Sequence, residues 1–271
     1  MLAGCGTTHV VTTTVAKPHR AAPAPTGLRI GVVRGVDVAP VFGAVYEHGS
    51  LEQVAGDALV LVPAASAAQI ASVAAQHPSS HFALIGAPSP DLMLPNVAGL
   101  VVPDDQAAQV AGVVAGVVAS DEGIQQPRVG WAGPEQPALA DAFARGVHEV
   151  APGAQILHAW SANVPAACKE AALAVVQRGA VAVLSPHGLC AEAAIAGAHE
   201  QNIVGLELDQ FELLFVPAAQ IVRDAVEGIY HGGENIVFGR RSGAIGVGTL
   251  DPRISAEQAI RARTLFSTLG G

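Results

Sequence analysis

The chain has 271 residues, of which 51% are hydrophobic, and a formal net charge of −9 at pH 7. A globular chain of this length buries about 70 to 75% of its unfolded surface, enough for one large core or two smaller ones. The negative charge repels polyanions, and no basic cluster is interleaved with aromatic residues, so no nucleic-acid partner is predicted. The longest apolar run, residues 107–119, is shorter than the roughly 20 residues of a membrane span, and we interpret it as a buried helix.

The N-terminus carries a possible signal for lipid attachment. Leu2-Ala3-Gly4-Cys5 resembles a bacterial lipobox, in which the Cys becomes the lipid-bearing first residue after signal-peptide cleavage. Only Met1 precedes the motif, so either the start is trimmed or placed too late, or the match is by chance. Residues 6–26 are rich in Thr, Ala, Pro and basic residues, which is typical of a flexible tether. We expect residues 1–26 to anchor an extracytoplasmic protein to the bacterial cell membrane through Cys5.

From Leu28 onward, short apolar runs alternate with segments of helical character. In the first block we predict strands at 28–33, 58–62, 82–85 and 97–102, and helices at 40–54, 67–76 and 107–120. Residues 121–127 are polar and interrupt the pattern. We therefore assign residues 27–125 to a first lobe, with a return segment near residues 216–240.

The alternation restarts in a second block, which we assign to a second lobe at residues 126–215. We predict strands at 128–131, 156–160, 181–184 and 203–208, helices at 137–150, 165–177, 191–200, 218–230 and 254–269, and a strand pair at 236–238 and 244–250. Residues 241–271 are not assigned to either lobe. Strands that alternate with helices predict an α/β fold with parallel sheets flanked by helices, here in two lobes with a cleft between them.

Two cysteines remain when Cys5 is set apart, and an exported protein can pair them. Cys168 and Cys190 each lie at the start of a predicted helix that follows a strand, and such helix starts meet at one end of a sheet. A disulfide bond between them would add roughly 3 kcal/mol of stability. The alternative is two buried free thiols. No further Cys or His stands at ligand spacing from either residue, so no metal site is predicted.

The stretch VAVLSPHGLCAEAAIAGAHEQNIVGLELDQ, residues 181–210, has the order strand, loop, helix, strand. In open α/β sheets, ligands bind outside the carboxyl ends of the strands. We therefore expect 185–190 and 207–210 to line one side of the cleft. Glu207 and His187 are the candidate ligand-binding residues, and Asp209 is either a third one or a turn residue.

Further candidates follow other predicted strands. Trp160 can stack on a base or a sugar ring, with core packing as the equal alternative. Asp37 and Ser66 follow strands of the first lobe, as do Ser89 and Asp104, although an Asp at the start of a helix also caps it.

The sequence carries no Gly-x-Ser-x-Gly elbow, no Gly-x-x-x-x-Gly-Lys loop and no His-Glu-x-x-His pair. Ser185 and His187 stand two residues apart on one loop, a spacing that seldom aligns a nucleophile with its base. We therefore predict neither enzymatic activity nor a cofactor.

An ordered set of segments resembles the basic membrane protein family of bacterial substrate-binding lipoproteins. The segments are HFALIGAP, NVAGLVVPDDQAAQVAGVVAGVVAS, RVGWAGPEQPALADAFARGVHEVAPGAQIL, NVPAACKEAALAVVQRGAVAVL and AHEQNIVGLELDQ, within residues 81–210. The resemblance implies a type I periplasmic-binding-protein fold whose lobes close on a small ligand, often a purine nucleoside. It also implies delivery of that ligand to the permease of an ABC importer. The side chains of Glu207, His187 and Trp160 would also suit a sugar.

The resemblance also implies roles for individual residues. Family members end a strand with Gly-Val-Asp-Ser-Asp-Gln, whose first Asp binds ribose hydroxyls, and here Glu207 stands at that position. The family has an aromatic residue that stacks on the base, and Phe42 and Tyr46 are the candidates here. The alternative is that both belong to one face of the helix predicted at 40–54. Too few residues lie between Arg34 and Ala58 for the family's loop, long helix and second strand, so the first lobe is shortened. A sensory or regulatory module, or an envelope-interaction protein with a vestigial cleft, is therefore the alternative.

Overall fold

The computed structural model describes residues 27–268 and contains two parallel sheets. The strands are β1 Leu28–Val33, β2 Ala44–Gly49, β3 Leu59–Pro63, β4 His81–Ile85, β5 Val97–Val101, β6 Arg128–Gly133, β7 Gln155–Trp160, β8 Ala180–Ser185, β9 Val204–Glu207 and β10 Glu234–Val237. The helices are α1 Leu51–Val54, α2 Ala67–Gln76, α3 Asp104–Asp121, α4 Pro137–Val150, α5 Pro165–Gln177, α6 Leu189–Glu200, α7 Phe215–Val226 and α8 Ala256–Thr268.

The large sheet has the strand order β10-β5-β4-β3-β1-β2 and the small sheet the order β7-β6-β8-β9. All pairings between these strands are parallel. The central strands are apolar along their whole length because helices cover both faces of a parallel sheet. In β3, Leu59 to Val62 are all buried, and so are Phe82 to Ile85 in β4. The predicted α/β fold with parallel sheets is confirmed. We refer to the large sheet with its helices as lobe 1 and to the small sheet with its helices as lobe 2.

The chain passes from one lobe to the other more than once. After β9, helix α7 packs against β1, β3 and β4, and β10 then joins the large sheet beside β5. Helix α3 leaves the large sheet after β5 but packs against β6, β8 and α4. By its packing, α3 therefore belongs with lobe 2, although it precedes the polar segment at residues 121–127. The buried core is continuous across both sheets.

Helices α3 and α4 approach each other closely enough for their backbones to touch. A Cβ atom at Gly146 would overlap the carbonyl oxygen of Gln109, and one at Gly112 would overlap that of Phe143. The small side chains of α3 make this approach possible, because 12 of its residues are buried and all of them are Ala, Val or Gly. The run at residues 107–119 is thus a buried helix. No helix in the described range is both long and apolar enough to cross a membrane.

Two local predictions are wrong. Residues 40–54 do not form one helix but a loop, strand β2 and the single turn of α1. Gly43 has a φ of +88°, which breaks a helix, and the Tyr46 hydroxyl accepts a hydrogen bond from the amide of Val41. Residues 236–238 and 244–250 do not pair as strands either, because β10 adds to the large sheet and only an isolated bridge joins Glu212 to Ile245.

A disulfide bond joins Cys168 of α5 to Cys190 of α6, with 5.4 Å between their Cα atoms. Both sulfur atoms are buried among small residues between these two helices and the small sheet. The sequence left open a disulfide bond or two buried free thiols, and the structure contains the disulfide bond.

Candidate functional site

The loops at the carboxyl ends of the two sheets meet around His187. The Nδ1 atom of His187 bonds to the Asp209 carboxylate. The Nε2 atom lies 3.7 Å from Oδ2 of Asp104 and 3.6 Å from Oε1 of Glu212. Asp104 directly follows the large sheet, whereas the other three residues follow strands of the small sheet. We call these four side chains the His187 cluster.

The local sequence explains the position of His187. Strand β8 ends at the fully buried Ser185, and the following Pro186 ends the extended run. Gly188 then adopts a φ of +79° and a ψ of −156°, a conformation that is accessible almost only to glycine. The chain turns sharply there, and α6 begins at Leu189. The imidazole therefore lies at the carboxyl end of β8, just before α6.

Charges in the cluster shift the pKa values of two of its members. Burial alone would lower the pKa of His187, but the carboxylates of Asp104, Asp209 and Glu212 raise it to about 10. The carboxylates thus favour the protonated form of the ring. Burial is the largest cause that raises the pKa of Glu212 to about 7, with repulsion from Asp104 and Asp209 adding to it and the charge of His187 opposing it.

Glu207 ends β9 next to this cluster and is half-buried. Its pKa is raised, first by burial and then by repulsion from Asp209 and Glu192, while His187 lowers it. The amide of Glu207 donates a weak hydrogen bond of 3.4 Å to the side chain of Gln210. A half-buried carboxylate at a strand end is suited to accept hydrogen bonds from the hydroxyl groups of a ligand.

On the lobe 1 side, a cavity of about 220 Å³ lies at the carboxyl ends of β1, β3 and β4. Its lining residues are Gly35, Val36, Asp37, Pro63, Ala64, Ala65, Ile85 and Leu214. Asp37 is thus part of a concave surface, and Ser66 begins α2 directly after this lining. Leu214 lies in the segment that leads from β9 of the small sheet back to the large sheet. This return of the chain therefore narrows the cavity. Typical small-molecule sites occupy about 300 to 1,000 Å³, so the cavity is small.

Phe42 and Trp160 lie apart from the His187 cluster. Phe42 is fully exposed. The next residue, Gly43, accepts a hydrogen bond through its carbonyl from the backbone amide of Leu28, the first residue of β1. Phe42 therefore lies at the amino ends of β1 and β2. It lines an open groove with α7. Trp160 is 42% exposed and stacks on His158 with 5.1 Å between the ring centroids. Strand β6 lies between β7, which ends at Trp160, and β8, which leads to His187, so these strands are roughly 10 Å apart at the usual strand spacing.

The structure gives Ser185 no role as a nucleophile. Its hydroxyl is buried and has no hydrogen-bond partner among residues 27–268, while His187 faces carboxylates on both sides. Ser89 has a structural role, because its backbone amide donates a hydrogen bond of 2.7 Å to the side chain of Asn235. From the sequence, Asp104 is both a candidate that follows a strand and a possible helix cap, whereas Glu212 is not among the candidates. A carboxylate in an apolar stretch, FELLFV, is the one signal that points to Glu212.

Comparison with known proteins shows the fold family. No protein-family model matches the chain, and no curated protein matches it in sequence. A solute-binding protein of an ABC transporter system from Conexibacter woesei matches with a TM-score of 0.61 and 16% identity, over 90% of this chain and 96% of that one. A transcriptional activator of the comK gene from Bacillus halodurans matches with a TM-score of 0.61 and 14% identity, over 90% and 98% of the two chains.

A third structure, a solute-binding protein of an ABC transporter system from Aeropyrum pernix, matches with a TM-score of 0.54 and 15% identity, over 89% and 86% of the chains. The chain shares the fold of these three proteins. At this level of identity the likeness establishes the two-lobed α/β architecture and nothing finer.

Proposed function

We propose that this chain is an extracytoplasmic solute-binding lipoprotein that delivers a small polar ligand to the permease of an ABC importer. The observation that carries the proposal is the convergence of polar side chains from both sheets at their carboxyl ends, where α/β folds bind ligands. Asp104, which follows β5 of the large sheet, lies beside His187, which follows β8 of the small sheet, and Glu207 ends β9 next to them. Asp37 follows β1 of the large sheet. Two of the structures with this fold are described as solute-binding proteins of ABC transporter systems.

A nucleoside is the ligand that we propose first, with a sugar as the related alternative. Glu207 would accept hydrogen bonds from two vicinal hydroxyl groups, each worth roughly 1.5 to 3 kcal/mol because the acceptor is charged. Asp37 would contact the ligand from the opposite wall. Because the Asp37 cavity is only about 220 Å³, binding of a nucleoside requires the lobes or Leu214 to move apart. Ligand-driven closure of two lobes is the usual motion of such proteins.

Thermal unfolding of the full chain against a panel of nucleosides, bases and sugars tests the proposal. A ligand at 100 times its dissociation constant adds roughly 2.7 kcal/mol to the free energy of unfolding. We expect a rise in Tm with one member of the panel that Glu207→Gln abolishes. Glu170→Gln is the matched control, because Glu170 is an exposed glutamate on α5 of the same lobe. A Tm that no member of the panel changes would refute the nucleoside and sugar assignments.

The proposed location depends on Cys5, which lies outside the described residues. The Cys168–Cys190 disulfide supports it, since structural disulfides persist mainly in oxidising compartments. Cys5→Ser should release the protein from the membrane fraction of expressing bacteria without changing its Tm. If the wild type and the variant were present in the membrane fraction to the same extent, lipid anchoring would be contradicted.

A sensory or regulatory module is the second candidate, favoured by the match to a transcriptional activator from Bacillus halodurans. The two candidates differ in what a deletion changes. Loss of a transporter component lowers uptake of the ligand, whereas loss of a regulator leaves uptake intact and changes transcript levels.

A further inference from the structure

The His187 cluster has the arrangement of a metal site with its supporting residue. The Asp209 carboxylate engages Nδ1 of His187, which leaves Nε2 as the ring atom that faces Asp104 and Glu212. Histidines that bind metals almost always donate their second N–H to a carboxylate, carbonyl or water, which fixes the ring. In this cluster Asp209 holds the ring in that way.

The three facing atoms are spaced as ligands of one ion. Nε2 of His187 lies 3.7 Å from Oδ2 of Asp104 and 3.6 Å from Oε1 of Glu212, and the three atoms all lie within 4.8 Å of one another. Bonds of about 2.0 to 2.2 Å to a tetrahedral ion place neighbouring ligand atoms roughly 3.3 to 3.6 Å apart. Small side-chain shifts would therefore put all three atoms on one ion and leave a fourth position open.

Glu212 gives an independent reason to expect an ion. Its side chain is only 8% exposed, yet its Oε1 atom accepts no hydrogen bond from any described residue. The separation of 3.6 Å from Nε2 of His187 is too long for a hydrogen bond. Buried carboxylate oxygens normally accept a hydrogen bond, so one that accepts none and faces a cluster of ligand atoms is suited to an ion bound between Glu212 and His187.

We propose that Asp104, His187 and Glu212 bind a divalent first-row transition-metal ion such as Zn²⁺, with Asp209 as the positioning residue. An imidazole ligand favours such ions over Mg²⁺ and Ca²⁺, which prefer oxygen ligands alone. The ion would take the place of the proton on Nε2 and neutralise the surrounding carboxylates. Because Asp104 begins α3 at the crossing from the large sheet and the other two ligands follow strands of the small sheet, the ion would also hold the loops of the two sheets together. This site does not depend on the identity of the organic ligand.

Isothermal titration calorimetry of the full chain with ZnCl₂ tests the site, with MgCl₂ as the comparison. The first 26 residues contain Cys5, His9 and His19, which bind metals adventitiously, so differences between variants carry the result. We expect His187→Gln and Glu212→Gln each to lose one Zn²⁺ equivalent relative to wild type. His158→Gln, which removes an exposed histidine of β7, should retain that equivalent. Equal stoichiometry and affinity in wild type and His187→Gln would overturn the proposal.

Further variants separate the site from a folding effect. Asp104→Asn changes an exposed residue, so the fold should be kept while the affinity for Zn²⁺ falls at least tenfold. Asp209→Asn should weaken binding without changing the stoichiometry, and the visible spectrum of bound Co²⁺ should still be that of a tetrahedral site. An unchanged affinity in Asp104→Asn, with wild-type Tm, would contradict the role of Asp104 as a ligand of the ion.

The ion has two possible roles, and the ligand panel distinguishes them. If the ion closes the cleft on an organic ligand, saturating Zn²⁺ should increase the affinity for that ligand at least tenfold. If the ion is itself the transported solute, Zn²⁺ should bind with no response to the organic panel. Both results support the site. A nucleoside-induced rise in Tm without Zn²⁺ binding would overturn the metal site and leave the nucleoside proposal standing.

Discussion

The carboxylate of Asp251 accepts a hydrogen bond of 2.7 Å from the backbone amide of Gly205 in β9. The same oxygen bonds Nε2 of His199 over 2.7 Å, and the other oxygen accepts from the amide of Arg253 over 2.9 Å. The Asp251 side chain is only 1% exposed. One buried carboxylate thus fixes the segment before α8 to the edge strand of lobe 2 and to α6.

Replacement of Asp251 by Asn should destabilise the protein by about 2 kcal/mol near pH 7, because hydrogen bonds to a charged group are worth about 1.5 to 3 kcal/mol. Burial alone would raise the pKa of Asp251, but the amides of Arg253 and Gly205 and the ring of His199 lower it overall. A lowered pKa means that the carboxylate stabilises the fold above the unfolded pKa, near 3.8, and that this is lost as the pH falls through the folded value.

Urea unfolding of wild type and Asp251→Asn from pH 7 to pH 3 measures this effect. The charged groups that face Asp251 are His199 and Arg253. The difference in stability should hold down to about pH 4 and shrink below it. A difference that grows as the pH falls below 4 would contradict the lowered pKa.

Removal of the disulfide should cost roughly 3 kcal/mol, the value expected for a loop with a sequence separation of 22. The double variant Cys168→Ala/Cys190→Ala tests this by urea unfolding under oxidising conditions. Wild type in reducing buffer should approach the stability of the double variant, whereas the double variant itself should not respond to reductant. A wild-type stability that is insensitive to reductant would argue against the bond.

Regular, strongly periodic segments could be predicted from the sequence. Helices were predicted at 137–150 and 165–177, and α4 and α5 have these bounds. Each begins with a Pro in its first turn, and each is flanked by an apolar strand, so local signals and burial agree. The prediction for residues 40–54 was wrong because the parallel pairing of β2 with β1, a long-range contact, determines the conformation there.

The candidate site was less accessible to prediction. The side chains of Asp104, His187 and Glu212 come from three loops, and their proximity depends on how the chain crosses between the sheets. Sequence spacing could suggest that each loop opens on a cleft, but it could not show that the three loops meet. Leu214 narrows the Asp37 cavity for the same reason, because it lies on a segment that crosses from one sheet to the other.

The contact between α3 and α4 should be sensitive to a single methyl group. Gly146→Ala would place its Cβ against the Gln109 carbonyl, and overpacking of this kind costs about 1 to 3 kcal/mol. Helix propensity alone would favour Ala over Gly by about 1 kcal/mol, so destabilisation would show that packing dominates. We expect a net loss of about 1 to 2 kcal/mol in urea unfolding. Gly56→Ala is the control, because no atom lies within 4 Å of the added Cβ.

The structure and the family resemblance lead to different expectations for ligand binding when Phe42 is replaced. The resemblance implies that Phe42 stacks on the base of a nucleoside, in which case Phe42→Ala should weaken binding at least tenfold. In the structure, the neighbouring Gly43 carbonyl accepts from the amide of Leu28, so Phe42 lies at the edge opposite the carboxyl ends of the strands. We therefore expect Phe42→Ala to leave the ligand-induced rise in Tm unchanged.

The fully exposed ring of Phe42 should contribute little to stability, so the Tm of the unliganded variant should also stay within a few degrees of wild type. Glu207→Gln, measured in parallel with the same ligand, is the positive control for loss of binding. If Phe42→Ala abolished the response as completely as Glu207→Gln, a large rearrangement would have to carry this loop into the cleft. The structure would then represent a state that the ligand does not bind.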